Sequence, residues 1–255
     1  MRIEARNITL SYGARVALDG VSATLETGEM IGLIGPNGAG KTTFLRALAG
    51  LSAPRTGELF YEGAPSTSVA RKDLARRIAY LAQGGAADWP LSVEAIVALG
   101  RLPHRRAFSP PSEQDRQAVE RALAAAELLE LRDRRFQELS GGERARALMA
   151  RALAVEAEWL IADEPVAALD PLHQLNAMAL LRAETSRGGV VVVLHDLTLA
   201  VRFCNRIIAL NGGRLVADSP PEALTNDVIA EIYGVEAFCG EHQGERFALP
   251  WRAKR

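Results

Sequence analysis

Cysteine is almost absent. Cys204 and Cys239 are the only two, and they form no CxxC pair. This argues against a disulfide framework and a thiolate zinc site, and it fits a reducing compartment. An excess of one charge is also lacking. Lys plus Arg total 30 and Asp plus Glu total 31, for a formal net charge of -1. A protein that binds nucleic acid over its whole surface shows a basic excess or stripe, so that class is disfavoured, although a local basic patch stays compatible. Long apolar runs are missing too. The longest, counting glycine, is Gly188–Leu194, far short of the roughly 20 residues that span a bilayer. The opening MRIEARNITLSYG lacks the apolar stretch of a secretory signal. No internal repeat or low-complexity linker interrupts the chain. What is present is ordinary globular composition, 48% hydrophobic and 24% charged over 255 residues. That length predicts one large domain or two small ones and a core that needs no staples.

The apolar pattern predicts strands around Ile3–Leu10, at Met30–Ile34, Leu59–Tyr61, Arg77–Leu81, Trp159–Ala162, Val190–Leu194 and Ile207–Leu210. The run VVVVL is apolar throughout, as in a strand covered on both faces of a parallel sheet. FLRALAGL has helical spacing and stops at Gly50. From about Asp88 to Ala154 the pattern is mainly helical, and Ser112 with Asp115 reads as a capping pair ahead of QAVERALAAAELLEL. The expected organisation is an α/β core of about residues 1–87 and 155–255, with a helical subdomain of about 88–154 inserted in it. The basic tail WRAKR is expected to be a solvated end.

Gly35-Pro36-Asn37-Gly38-Ala39-Gly40-Lys41-Thr42 matches G-x-x-x-x-G-K-[ST] between a strand and a helix. Its glycines let successive backbone N–H groups point at phosphate oxygens, and the helix adds the positive end of its dipole. Lys41 can reach the β- and γ-phosphates, and the Thr42 hydroxyl can ligate magnesium. Trp159-Leu160-Ile161-Ala162-Asp163-Glu164 is an apolar strand ending in two carboxylates. Such a strand presents Asp163 where α/β sheets bind ligands, in reach of magnesium, with Glu164 placed to polarise an attacking water. A second glycine-containing turn, Leu139-Ser140-Gly141-Gly142-Glu143, precedes the helix RARALMARAL. Ser140 and the backbone amides there suit an anion, or a plain helix cap.

Together the phosphate loop, LSGGE and the DE strand resemble the ATP-binding subunit of ABC transporters, over nearly the whole chain. The resemblance implies a P-loop NTPase core with an inserted helical subdomain and a small antiparallel β subdomain. It implies ATP and Mg²⁺ as cofactors, with ATP held by Gly35 through Thr42 and by Thr43. It also implies a second nucleotide-binding subunit, most simply a homodimer. Ser140, Gly141 and Gly142 of one copy would cap the γ-phosphate held by the other, with Asp170 at the dimer contact. Tyr12 matches the aromatic residue that stacks on adenine, Gln83 the magnesium-sensing loop that leads into the helical subdomain, and His195 the histidine at the γ-phosphate.

Two departures stand out. Val166 and Ala167 replace the usual hydroxyl residues before Leu169-Asp170, which predicts a lost intersubunit hydrogen bond, and Ala145 replaces a frequent glutamine. Neither touches a phosphate, metal or water contact, so hydrolysis is expected. The segment ALGRLPHRR, with Gly100, Arg101, Pro103 and His104, resembles an element of importer subunits for ferric siderophores, haem and cobalamin. The plain reading of it is a solvated basic loop. IYGVEA (Ile232–Ala237) resembles the ending of the same group. This implies a polytopic membrane permease and a substrate-binding protein as partners, no direct nucleic acid, and a peripheral place on the cytoplasmic face of the bacterial inner membrane. The alternatives are an export or lipid-trafficking ATPase, a soluble ABC-type ATPase, or a binding module without catalysis. The short gap between phosphate loop and LSGGE, and the single motif set, count against the soluble class. Intact Glu164 and His195 count against the module.

Overall fold

The computed structural model describes residues 1–84, 90–106 and 109–254. A long hairpin comes first, β1 (Ile3–Tyr12) and β2 (Arg15–Leu25), then β3 (Met30–Ile34) and α1 (Lys41–Leu48). Next are β4 (Thr56–Tyr61), β5 (Ala64–Pro65), α2 (Arg71–Arg77) and β6 (Ile78–Leu81). Three helices follow, α3 (Val93–Ala98), α4 (Glu113–Ala125) and α5 (Gly141–Leu153). Then come β7 (Trp159–Ala162), α6 (Pro171–Glu184), β8 (Gly189–Val193), α7 (Leu197–Phe203), β9 (Arg206–Asn211) and β10 (Arg214–Ser219). Helix α8 (Asn226–Tyr233) and the hairpin β11 (Val235–His242) and β12 (Glu245–Ala253) complete the described chain. No helix among the described residues is long and apolar enough to cross a membrane.

The central sheet has the order β10-β9-β3-β8-β7-β6 and is parallel except for its edge strand β10. Its middle strands are buried on both faces, which is why MIGLI and VVVV carry no polar residue. Alternation sorts their side chains into two cores. Val191 and Val193 pack with Ile31, Leu33 and Ile161 under α1 and the antiparallel sheet β2-β1-β4-β5. Val190 and Val192 pack with Met30, Leu160 and the helices of the opposite face. Fully burying each such side chain stabilises the fold by about 1.5–3 kcal/mol. Trp159 lies on the first face, fully buried, and its indole N–H donates to the Met1 carbonyl at 2.6 Å.

This is the architecture expected: a P-loop α/β core, a helical insertion, and a small antiparallel β unit. The capping pair at Ser112 is a full capping box, with Asp115 returning the bond to the Ser112 amide. One expectation needs correction. The strand placed at Arg77 begins at Ile78, because Arg77 ends α2 and its guanidinium is held by Glu158 at 2.6 Å. The tail is not a loose end: Trp251, Arg252 and Ala253 finish β12, and Arg252 pairs with Glu236 at 2.7 Å. As expected it is solvated, and Trp251 is 74% exposed. Arg255 and the expected subdomain boundary near 87 and 88 lie outside the described residues.

Candidate active site

The phosphate loop is built where β3 leaves the sheet. Gly35 has φ 141°, and a Cβ on it would sit 2.0 Å from the Leu210 carbonyl oxygen. Gly40 has φ 100°, and a Cβ there would meet the Ala17 carbonyl at 2.4 Å. No side chain fits at either position. Between them Pro36, Asn37, Gly38 and Ala39 turn back, closed by the Ala39 amide donating to the Pro36 carbonyl at 3.1 Å. Helix α1 starts at Lys41 with no side-chain cap. The first amides of the helix, at Lys41, Thr42 and Thr43, are therefore left for an anion. Lys41 is buried, and its ammonium donates to the Gly35 carbonyl at 2.7 Å and the Pro36 carbonyl at 3.0 Å. Burial pushes its pKa down, and the nearby Glu164 and Asp163 carboxylates oppose that shift.

Strand β7 is buried along its length and delivers two acids at its carboxyl end. Asp163 is 1% exposed. Its Oδ2 accepts from the Tyr80 hydroxyl at 3.5 Å, while Oδ1 has no hydrogen-bond partner among the described residues. Burial raises its pKa, with the Thr42 hydroxyl as the main counterweight. Glu164 follows in a left-handed conformation, φ 50°. Its Oε1 lies 2.6 Å from His195 Nε2, and its Oε2 accepts from Gln83 Nε2 at 2.6 Å. Residues that the sequence placed at three separate segments thus meet on one carboxylate.

Tyr12, Arg15, Asn37, Gly38, Lys41, Thr42, Thr43, Gln83 and Glu164 line a shared cavity of about 530 Å³. Tyr12, at the tip of β1, is 53% exposed and offers a free ring to it. Ser140, Gly141, Gly142 and Asp170 are not among the residues that line this cavity. Ser140 caps α5: its hydroxyl accepts from the Glu143 amide at 3.2 Å, and Glu143 accepts from the Ser140 amide at 2.7 Å. A Cβ on Gly141 would meet nothing within 4 Å, so this turn faces open space. Asp170 caps α6, accepting from the His173 amide at 3.0 Å, and that bond leads in holding its carboxyl below the usual range.

Two of the departing residues pack into the core. Val166 is buried in the core of the helical face, and Ala145 packs against it. The segment ALGRLPHRR is not a solvated loop, because Arg101 and His104 point inward. Arg101 is 7% exposed and bonds Asp115 at 3.0 Å and the Ala154 carbonyl at 2.8 Å. His104 Nε2 lies 2.8 Å from the Val155 carbonyl. Three residues at the site escaped the sequence reading. Arg15, the first residue of β2, carries a charge opposite Tyr12 that the sequence itself displays. Tyr80, which touches Asp163, and Tyr233, whose hydroxyl accepts from the Gly35 amide at 2.7 Å, are visible only in the folded chain.

Known proteins resemble this chain in sequence and in shape. The family model described as ABC transporter matches residues 18–167. A hemin import ATP-binding protein of Nocardia farcinica is 42% identical over 244 residues, covering 94% of this chain and 84% of that protein. A siderophore transport system ATP-binding protein of Bacillus subtilis, itself described as probable, is 37% identical, covering 97% and 90%. Among solved structures, an inward-facing ABC transporter, described as of putative metal-chelate type, superposes with a TM-score of 0.83 at 25% identity, over 99% of this chain and 98% of that one. A dimeric post-hydrolysis ATP-binding cassette bound to ADP and phosphate superposes at 0.75 with 28% identity, over 86% and 98%.

Proposed function

The chain belongs to the ABC transporter family, and from that premise we propose that it is the ATP-hydrolysing subunit that powers import of an iron chelate through a separate membrane permease. The cargo class is a ferric siderophore, haem or cobalamin. The cargo reading rests on the likeness to hemin and siderophore import subunits along almost the entire chain. The hydrolytic roles rest on Lys41, Gln83 and Glu164 lining one cavity, with His195 bonded to Glu164.

In this reading the adenine stacks on Tyr12 and the triphosphate lies along Gly35 to Thr43. Lys41 exchanges the carbonyls of Gly35 and Pro36 for phosphate oxygens. The residues suit a magnesium ion: Asp163 has a buried oxygen without a partner, and burial has raised its pKa, a state that a cation would reverse. Thr42, Asp163 and Gln83 would hold the ion, which neutralises charge between the β- and γ-phosphates when bound. Glu164 orients the attacking water and takes its proton, and His195 holds the γ-phosphate. Phosphoryl transfer needs little covalent help, so positioning and charge carry the reaction.

Two copies would face each other head to tail, an isologous twofold pair. The open Ser140-Gly141-Gly142 turn of each would close over the other's γ-phosphate, with Asp170 at the contact. The pair would sit on the cytoplasmic face of the bacterial inner membrane, held by a polytopic permease and supplied by a substrate-binding protein. Affinity purification from native membranes, with subunits identified by mass spectrometry and an absorption spectrum taken, tests this. A permease and a haem or corrin chromophore, or a bound ferric chelate, support it. An exporter-type membrane subunit, or none, overturns it.

A further inference from the structure

The segment IYGVEA has a place at the site that its likeness to other endings does not explain. Helix α8 is anchored by buried Ile229 and Ile232 and stops at Gly234, which has φ 68°. The last helical side chain, Tyr233, reaches across to the first residue of the phosphate loop, where its hydroxyl accepts from the Gly35 amide at 2.7 Å. The carbonyl of the same Gly35 accepts from Lys41 Nζ at 2.7 Å. Both backbone polar groups of Gly35 are therefore satisfied by side chains rather than by the sheet ladder. Asn211, at the end of β9, donates to the Ile232 carbonyl at 3.3 Å and fixes the helix end beside the strand that flanks β3. Burial pushes the Tyr233 phenol up to about 12, so the hydroxyl stays neutral and can keep this bond through the physiological range.

We propose that Tyr233 is a positioning residue for nucleotide binding: its hydroxyl sets where the chain leaves β3 and so holds the phosphate loop in its triphosphate-ready shape. This rests on residues 35–42 being the triphosphate cradle. Without the hydroxyl the Gly35 peptide is free to turn, and only a fraction of molecules present a competent loop. Apparent affinity falls by that fraction, and one hydrogen bond of ordinary strength corresponds to about three- to tenfold.

The test compares wild type, Tyr233→Phe and Ile229→Val, the last a packing change in the same helix that leaves the hydroxyl in place. Calorimetry gives the Kd for MgATP, steady-state hydrolysis gives KM and kcat, and thermal melts give Tm. Tyr233→Phe is expected to raise Kd and KM by about three- to tenfold, with kcat at saturation within about twofold. Ile229→Val is expected to lower Tm with Kd unchanged. An unchanged Kd in Tyr233→Phe, or a Kd that tracks Tm equally in both variants, overturns the proposal. Lys41→Ala separates the two ideas: tight ATP binding by that variant would sink the cradle itself, whereas a silent Tyr233→Phe beside an inactive Lys41→Ala would sink only the role given to Tyr233.

Discussion

Replacing Arg101 by methionine should destabilise the protein severely. The guanidinium is buried where the end of α5 meets the start of α4, bonded to Asp115 at 3.0 Å, the Ala154 carbonyl at 2.8 Å and Glu156 at 3.3 Å. Methionine fills the space but leaves the Asp115 charge buried without its cation and the Ala154 carbonyl without its donor. Breaking one side of a buried pair costs about 3–5 kcal/mol. In a domain of this size each kcal/mol moves Tm by about 2–4 °C, so a fall of about 6–20 °C is expected by calorimetry at pH 7. Acid sharpens the test. Burial works against the Asp115 charge, but the Ser112 bonds and then Arg101 hold its pKa at about 2. Its folded value is thus below an unfolded value of about 3.9. The stability it supplies is present above pH about 4 and lost as pH falls through about 2. Without Arg101 that acid-dependent part shrinks. If Arg101→Met melts within about 2 °C of wild type while permease copurification is lost, the side chain is a docking contact and the clamp reading is wrong.

Glu164→Gln should still bind ATP and pair in solution by light scattering, but turn over about 10²–10⁴-fold more slowly; normal turnover would remove Glu164 from the role of base. Lys41→Ala should lose measurable ATP binding by calorimetry, because among the described residues the ammonium is the only lysine charge lining the cavity. Arg15→Gln should weaken ATP binding by a few-fold and flatten its dependence on salt, since an exposed guanidinium beside Gly38 acts through screened charge. An unchanged salt slope would show that Arg15 does not feel the phosphates.

The phosphate loop and the DE strand were legible because their chemistry is local: a strand, a tight turn and a helix start are all written within a few consecutive residues. The caps at Ser112 and Ser140 were legible for the same reason. Arg101 was not, because its partners lie 14 and 53 residues away and a basic run looks solvated until the fold supplies them. The hairpin β11–β12 was missed because its strands pair only with each other and mostly face solvent, so their alternation is faint. Tyr233 lies 198 residues from the glycine that it holds, a separation that no sequence window spans.

Glu164 shares its two oxygens between a donor on the segment leading toward the helical insertion and an imidazole at the end of β8. That makes the carboxylate a coincidence detector. Both bonds exist only while three stretches of chain stand in register, and a γ-phosphate competing for His195 would break one of them. A shift of any one of the three would therefore free one oxygen of Glu164.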